Sequence, residues 1–144
     1  HAAGTPFDGN QLVELDSFSN SGMIQTTIAT IPGQTYDLSF AYSPRPGVGV
    51  ASNTIEVYFN GGLLDSLTGV GGGDTIWTVH NYSVIAAGAS SHVAFIAAGN
   101  SDSYGGYLDA VSFTAAVPEP GSLLLLGSGL VGVGGLAYRR NRQK

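Results

Sequence analysis

Cysteine is absent from all 144 residues, which excludes a disulfide framework and any thiolate zinc site. Positive charge is almost absent from residues 1–117, where Arg45 is the one base against nine carboxylates, a net −8. A body with one cation cannot neutralise a row of phosphates, so nucleic-acid binding is excluded. Helical periodicity is missing as well. No eleven-residue window of the body repeats its apolar residues every 3.6 positions, and 22 glycines with few charges argue against a bundle or coiled coil. Catalytic signatures are lacking too: there is no Gly-x-Ser-x-Gly elbow and no His-Glu-x-x-His helix. The Gly69–Asp74 run has neither the Lys nor the following Ser/Thr of a phosphate loop, and His80 and His92 stand without partners in the sequence. The expectation is a protein that is not an enzyme.

What is present is period-2 alternation, recurring every ten or so residues. It predicts strands at Gln11–Asp16, Met23–Ile31, Thr35–Ser43, Thr54–Asn60, Leu63–Leu67, Thr75–Val84, His92–Ala98 and Leu108–Ala115. The clearest places Tyr36, Leu38, Phe40 and Tyr42 on one face, with small or polar residues opposite. In the last strand, Leu108, Ala110 and Ser112 are expected on one face and Asp109, Val111 and Phe113 on the other. Pro32-Gly33 reads as the centre of a type II turn, and Asn60-Gly61-Gly62 as a hairpin. Eight short strands joined by such turns predict an all-β jelly-roll β-sandwich over residues 1–116.

The tail reverses the charge. Residues 118–144 carry Glu119 against four bases, a net +3. Pro118-Glu119-Pro120 can neither continue a ladder nor enter a helix smoothly, so it predicts an extended spacer. Residues 121–138 follow, uncharged and nearly all apolar, and Arg139, Arg140 and Arg142 lie in the basic end 139–144. Sixteen helical residues from Leu123 to Tyr138 would span about 24 Å, against a hydrocarbon core of roughly 30 Å. With Gly121 and Ser122 added, the segment reaches the lower limit of a single short transmembrane helix with a cytoplasmic basic stop.

Val117-Pro118-Glu119-Pro120-Gly121-Ser122, the short Leu/Gly-rich span and the terminal Arg cluster closely resemble the PEP-CTERM sorting signal of exported bacterial proteins. The resemblance implies a precursor held transiently in the inner membrane, processing by an exosortase near Pro118–Pro120, and delivery to the cell surface or matrix. It also implies an association with exopolysaccharide and biofilm. The body carries a second resemblance. Gly22–Thr27, Ile31–Phe40 and Gly105–Phe113 are similar to the DUF642-type group with a galactose-binding-like jelly roll. That implies a carbohydrate-binding or wall-associated module, with a strand or two ahead of the stretch Asp8–Asp16. The sequence is therefore expected to begin inside the domain, or to belong to a shortened member.

Jelly-roll sugar binders often hold a structural Ca²⁺. Hard oxygen ligands stand at Asp102, Asp109, Glu14 and Asp16, and Asp109, Asp102 and Glu14 form the expected metal set. Sugar sites combine aromatic platforms with planar polar groups. The candidates are Trp77, Tyr104 and Tyr107, the last two in the polar loop 99–107, with Trp77 divided between platform and core. Arg45, between Pro44 and Pro46, is either a ligand contact or the partner of a carboxylate that pins its loop. The leading expectation is an exported, exosortase-sorted module that binds extracellular polysaccharide without catalysis. The alternative is a structural surface protein that self-associates through sheet edges and binds no sugar specifically, and a third reading is a degraded or accessory hydrolase domain.

Overall fold

A computed structural model describes residues 4–16 and 23–117 of the chain. Its elements are β1 (Val13–Glu14), β2 (Met23–Ala29), β3 (Thr35–Ser43), β4 (Ile55–Phe59), β5 (Gly62–Leu67), β6 (Thr78–Ile85), β7 (Ser90–Ala97) and β8 (Tyr107–Ala115). They form two four-stranded antiparallel sheets in the orders β1-β8-β3-β6 and β2-β7-β4-β5. This is the expected jelly roll. The expected transmembrane helix at 121–138, the motif Pro118-Glu119-Pro120 and the basic residues Arg139, Arg140 and Arg142 lie outside the described residues. No helix among the described residues is long and apolar enough to cross a membrane.

The core lies between the sheets, where the alternation of β3 sends Leu38, Phe40 and Tyr42 against Ile55, Val57, Val93 and Phe95. Each such side chain contributes roughly 1.5–3 kcal/mol by leaving water. The turns use the conformations that their residues favour. Gly33 takes φ 79°, and the amide of Gln34 donates to the carbonyl of Ile31 at 3.1 Å, closing the Pro-Gly turn. Asn60 and Gly61 both have positive φ, 49° and 79°, as a two-residue type I′ hairpin requires.

Strict alternation fails in β8. Ser39 pairs with Ser112 and Ala41 with Asp109, so Ala110 and Val111 together oppose Phe40. This β-bulge, with Ala110 at φ 49°, turns Phe113 inward onto the core along with Leu108. The expected grouping of Leu108 opposite Phe113 is thereby corrected. One extra residue restores Phe113 to the apolar face.

The two sheets leave their free edges on the same side. β2 ends its sheet, while β1 pairs only with Leu108 and Tyr107. Between β2 and β8 opens an apolar cleft of about 720 Å³, lined in part by Ile24, Ile28, Phe95, Leu108 and Phe113. At one end of the sandwich the strand order gathers three connections, 44–54, 68–77 and 98–106, beside the end of β1. Every candidate binding residue except Asp109 lies on this end.

Candidate functional site

The end of β3 leads into Pro44-Arg45-Pro46, and a single buried side chain fixes the loop that follows. Asn53 is fully buried. Its Oδ1 accepts the amide of Arg45 at 2.8 Å, and its Nδ2 lies 3.1 Å from each of the carbonyls of Val48, Gly49 and Gly69. One amide thus ties loop 44–54 to loop 68–77. Two backbone bonds reinforce the tie, Gly47 N–H to Gly72 O at 2.9 Å and Gly71 N–H to Val48 O at 2.8 Å. Tyr42 donates its hydroxyl to the carbonyl of Asn53 at 2.8 Å, and burial pushes its phenol far above the usual range.

Held in this way, Arg45 reaches back to the end of β1. Its Nη1 donates to Oε1 of Glu14, and both side chains are mostly buried, 16% and 11% exposed. The same Glu14 oxygen accepts the amide of Gly105 at 3.3 Å. Of the two readings of Arg45, the carboxylate pair is the one present. The guanidinium carbon also lies 4.5 Å from the centroid of the Tyr104 ring, a cation–π stack. Tyr104 remains 47% exposed, so one face of its ring rests on a rigid cation while the rest is open to a ligand.

Loop 98–106 is anchored by polar contacts on both flanks. Asn100 N–H donates to Ala51 O at 2.8 Å, and Ser52 Oγ donates to Asp102 Oδ2 at 2.6 Å. Asp102 Oδ1 accepts the amide of Tyr104 at 3.1 Å, which aims the aromatic. Gly105 crosses so close to β1 that a Cβ there would collide with the carbonyl of Leu15. The loop is therefore held in position at the point where it presents Tyr104.

Trp77 lies in loop 68–77 immediately before β6 and is half-buried, outside the core clusters. Its indole N–H donates to the carbonyl of Thr5 at 2.8 Å, and Phe7, itself exposed, meets it edge-on with centroids 6.1 Å apart. The segment 4–8 is held there further by Asp74, which accepts the Thr5 amide at 3.1 Å. Trp77 and Phe7 thus make a second aromatic surface on the same end of the sandwich as Tyr104, on a different loop.

Two expectations are corrected. Tyr107 is not a loop platform: it is fully buried at the first position of β8, paired with Ser43 and Glu14, and unavailable to a glycan. The expected metal set Asp109, Asp102 and Glu14 does not converge. Asp109 Oδ2 accepts the amides of Phe7 and Asp8 at 2.9 and 3.2 Å, and its Oδ1 the amide of Ala110 at 2.6 Å. Those N–H dipoles point their positive ends at Asp109, where a cation would have to sit. Glu14 is taken by Arg45, and among the described residues no three acidic or histidine side chains cluster to hold an ion. Sequence reasoning missed Asn53 and Ser52, whose type and spacing carry no signal apart from the fold.

Comparison with known proteins matches both parts of the chain. Residues 116–141 match the family model of the PEP-CTERM protein-sorting motif. The body resembles part of a multifunctional-autoprocessing repeats-in-toxin of Vibrio cholerae serotype O1 (strain ATCC 39315 / El Tor Inaba N16961), 28% identical over 107 residues. That match covers 74% of this chain, which spans 2% of the length of the toxin. Among solved structures, the EclA C-terminal domain, a sugar-binding protein, aligns with a TM-score of 0.59 and 14% identity over 74% of this chain and 79% of its own. A family 35 carbohydrate binding module from an environmental isolate aligns with a TM-score of 0.55 and 14% identity, covering 81% and 85% respectively. At such identities the likeness is one of fold. The sandwich shares the fold of these two solved domains, and the stretch that matches the sorting-motif model follows it in the sequence.

Proposed function

We propose that the chain is an exported, non-catalytic carbohydrate-binding protein of the cell surface or extracellular matrix, released from its sorting tail by an exosortase. The observation that carries the binding half is the loop end of the sandwich. There Tyr104 stacks on Arg45, Arg45 pairs with Glu14, and the whole is locked by Asn53. A pre-positioned aromatic with one free face suits the C–H face of a pyranose, and the surrounding amides and carboxylates suit its hydroxyls. A neutral or cation-associated polysaccharide fits a body of net −8. The sorting half rests on the match at residues 116–141, with the apolar stretch 121–138 as a transient inner-membrane hold and Arg139, Arg140 and Arg142 as its stop.

The test is affinity electrophoresis of wild type, Tyr104→Ala and Trp77→Ala in extracellular polysaccharide, with Tyr107→Phe as a buried control. Retardation that Tyr104→Ala weakens and Tyr107→Phe leaves intact supports the reading. No retardation by any polysaccharide overturns it. For the tail, Glu119→Ala in a host bearing an exosortase is expected to accumulate the unprocessed precursor.

A second reading has an observation of its own. The cleft between β2 and β8 leaves two sheet edges free, and neither β2 nor the part of β8 beyond Asp109 carries a charged side chain to block pairing. Self-association through these edges would make a matrix protein. Concentration-dependent oligomers that Val111→Lys dissolves, without any polysaccharide binding, would favour it.

A further inference from the structure

The end of the sandwich opposite to the candidate site is built without charge. Strand direction brings together the connections 30–34, 60–61 and 86–89, and the described chain leaves the body beside them at Val117. No Asp, Glu, Lys, Arg or His falls within residues 29–36, 59–64, 84–91 or 113–117, although the body carries nine carboxylates. The closest of these along the strands, Asp37, is two positions along β3 from Thr35 and accepts the Ser83 hydroxyl at 2.6 Å. Asp74 and Asp102 belong to the loops of the other end.

The same end is apolar and firmly held. Ile31 and Ile85 are each 66% exposed and Val117 is 86% exposed, and Ala87 and Ala89 are exposed as well. The Gly33 amide donates to the carbonyl of Ala86 at 2.7 Å, and the Ala86 amide to that of Gln34 at 3.0 Å. The Ala116 amide donates to the carbonyl of Thr35 at 2.9 Å, and the side-chain amide of Gln34 to that of Ala116 at 3.3 Å. Three segments far apart in sequence thus form one fixed surface. Exposed aliphatic side chains gathered on an uncharged surface mark a place of contact with a partner or a membrane.

The occupant follows from where the chain leaves. Pro118-Glu119-Pro120 alone separates Val117 from the apolar stretch 121–138. An extended, proline-rich spacer of this kind covers about 9 Å, at roughly 3.1 Å per residue. The headgroup layer of a bilayer is roughly 5–8 Å deep on each side of the hydrocarbon core. We propose that this uncharged end is a bilayer-facing surface: while the sorting tail is embedded, Ile31, Ile85 and Val117 rest in the headgroup layer and the loop end points away from the membrane. The surface presupposes the proposed membrane hold of residues 121–138. A body of net −8 is repelled by anionic lipid, and presenting its carboxylate-free end keeps that repulsion small. Burial of a few aliphatic side chains gives a weak, reversible association, which the tether makes effective. The consequence is directional. Tyr104 and Trp77 face outward, toward extracellular polymer, and Pro118-Glu119-Pro120 stays at the level of the headgroups.

Because the chain has no Cys, a fluorophore on one introduced thiol reports a single place. The full chain is labelled at Ala87→Cys or at Gly73→Cys, on opposite ends, and added to vesicles of equal parts phosphatidylethanolamine and phosphatidylglycerol carrying a headgroup quencher. Flotation with the vesicles reads the hold of the tail, and quenching reads the surface. The label at Ala87→Cys is expected to be quenched about threefold more than that at Gly73→Cys. Ile31→Asp combined with Ile85→Asp is expected to remove most of this difference, with flotation and melting temperature unchanged. Val70→Asp, at the loop end and 70% exposed, is expected to leave the difference intact. Flotation with equal quenching at both ends overturns the surface alone, as does a difference that Ile31→Asp and Ile85→Asp leave undiminished. Absence of flotation overturns the membrane hold and the surface with it. A difference that arises only beside a co-reconstituted exosortase overturns the bilayer assignment in favour of a protein partner.

Discussion

Arg45 lies 4.5 Å from the centre of the Tyr104 ring while its guanidinium donates to Glu14, so one side chain joins β1, loop 44–54 and loop 98–106. The only base of the body is thereby spent on positioning an aromatic. An exposed cation on a ring gains little in water, but this one is held by a mostly buried carboxylate and by the Arg45–Asn53 bond.

Replacing Tyr104 by Ala is expected to weaken polysaccharide binding about tenfold, roughly 1.4 kcal/mol, with the melting temperature nearly unchanged. The ring is half exposed and contributes little to the core. Isothermal titration alongside a thermal melt separates the two effects. A large drop in melting temperature would assign Tyr104 a structural role instead.

Arg45→Met removes the partner of Glu14 and leaves a mostly buried carboxylate uncompensated. The expected loss is about 3 kcal/mol of stability in urea unfolding. Adding Glu14→Gln is expected to recover a large part of that loss, since the remaining side chain no longer carries charge. A loss in the double variant equal to the sum of the two single losses would mean that the pair carries no coupling.

Gly105→Ala is expected to displace the loop that carries Tyr104. Its new Cβ would meet the Leu15 carbonyl, a backbone atom that cannot rotate away. A fall of several degrees in melting temperature, with loss of binding in parallel, is the expected outcome. Gly73→Ala, with nothing within 4 Å of its Cβ, is the control and is expected to be neutral.

Tyr82 donates its hydroxyl to Oδ2 of Asp65 at 2.6 Å, and this bond holds the carboxyl of Asp65 below the usual range. A depressed carboxylate gives stability that is present above its unfolded value, near 3.9, and is lost as pH falls through the folded value. Tyr82 is raised, first by burial and then by its bond to Asp65. Its share is present below the unfolded value, about 10, and is lost as pH rises beyond it. Tyr82→Phe is therefore expected to flatten both the acid and the alkaline limbs of a melting temperature profile measured from pH 2 to 11. A profile parallel to wild type would refute the coupling.

The body's strands were legible because burial of one face imposes a period of two on the chain, and Thr35–Ser43 matches its predicted bounds at both ends. The turns were legible because Pro-Gly and Asn-Gly have few backbone conformations to choose from. Tyr107 was misassigned for a local reason: it follows a run of Gly, Ser, Asn and Asp that reads as loop, and its burial depends on pairing with Ser43 and Glu14, distant in sequence. The bulge at Ala110 was hidden because an inserted residue leaves the composition of the strand unchanged.

By itself, then, the chain of residues determined an eight-stranded sandwich, a body with one base, and a sorting tail of opposite charge. Each is a local or compositional property that needs no contact map. Tertiary structure decided which of nine carboxylates meets Arg45 and which aromatic stays in water. Those outcomes depend on strand order, which brings β1, β3 and the start of β8 to one end, and no spacing along the sequence encodes it.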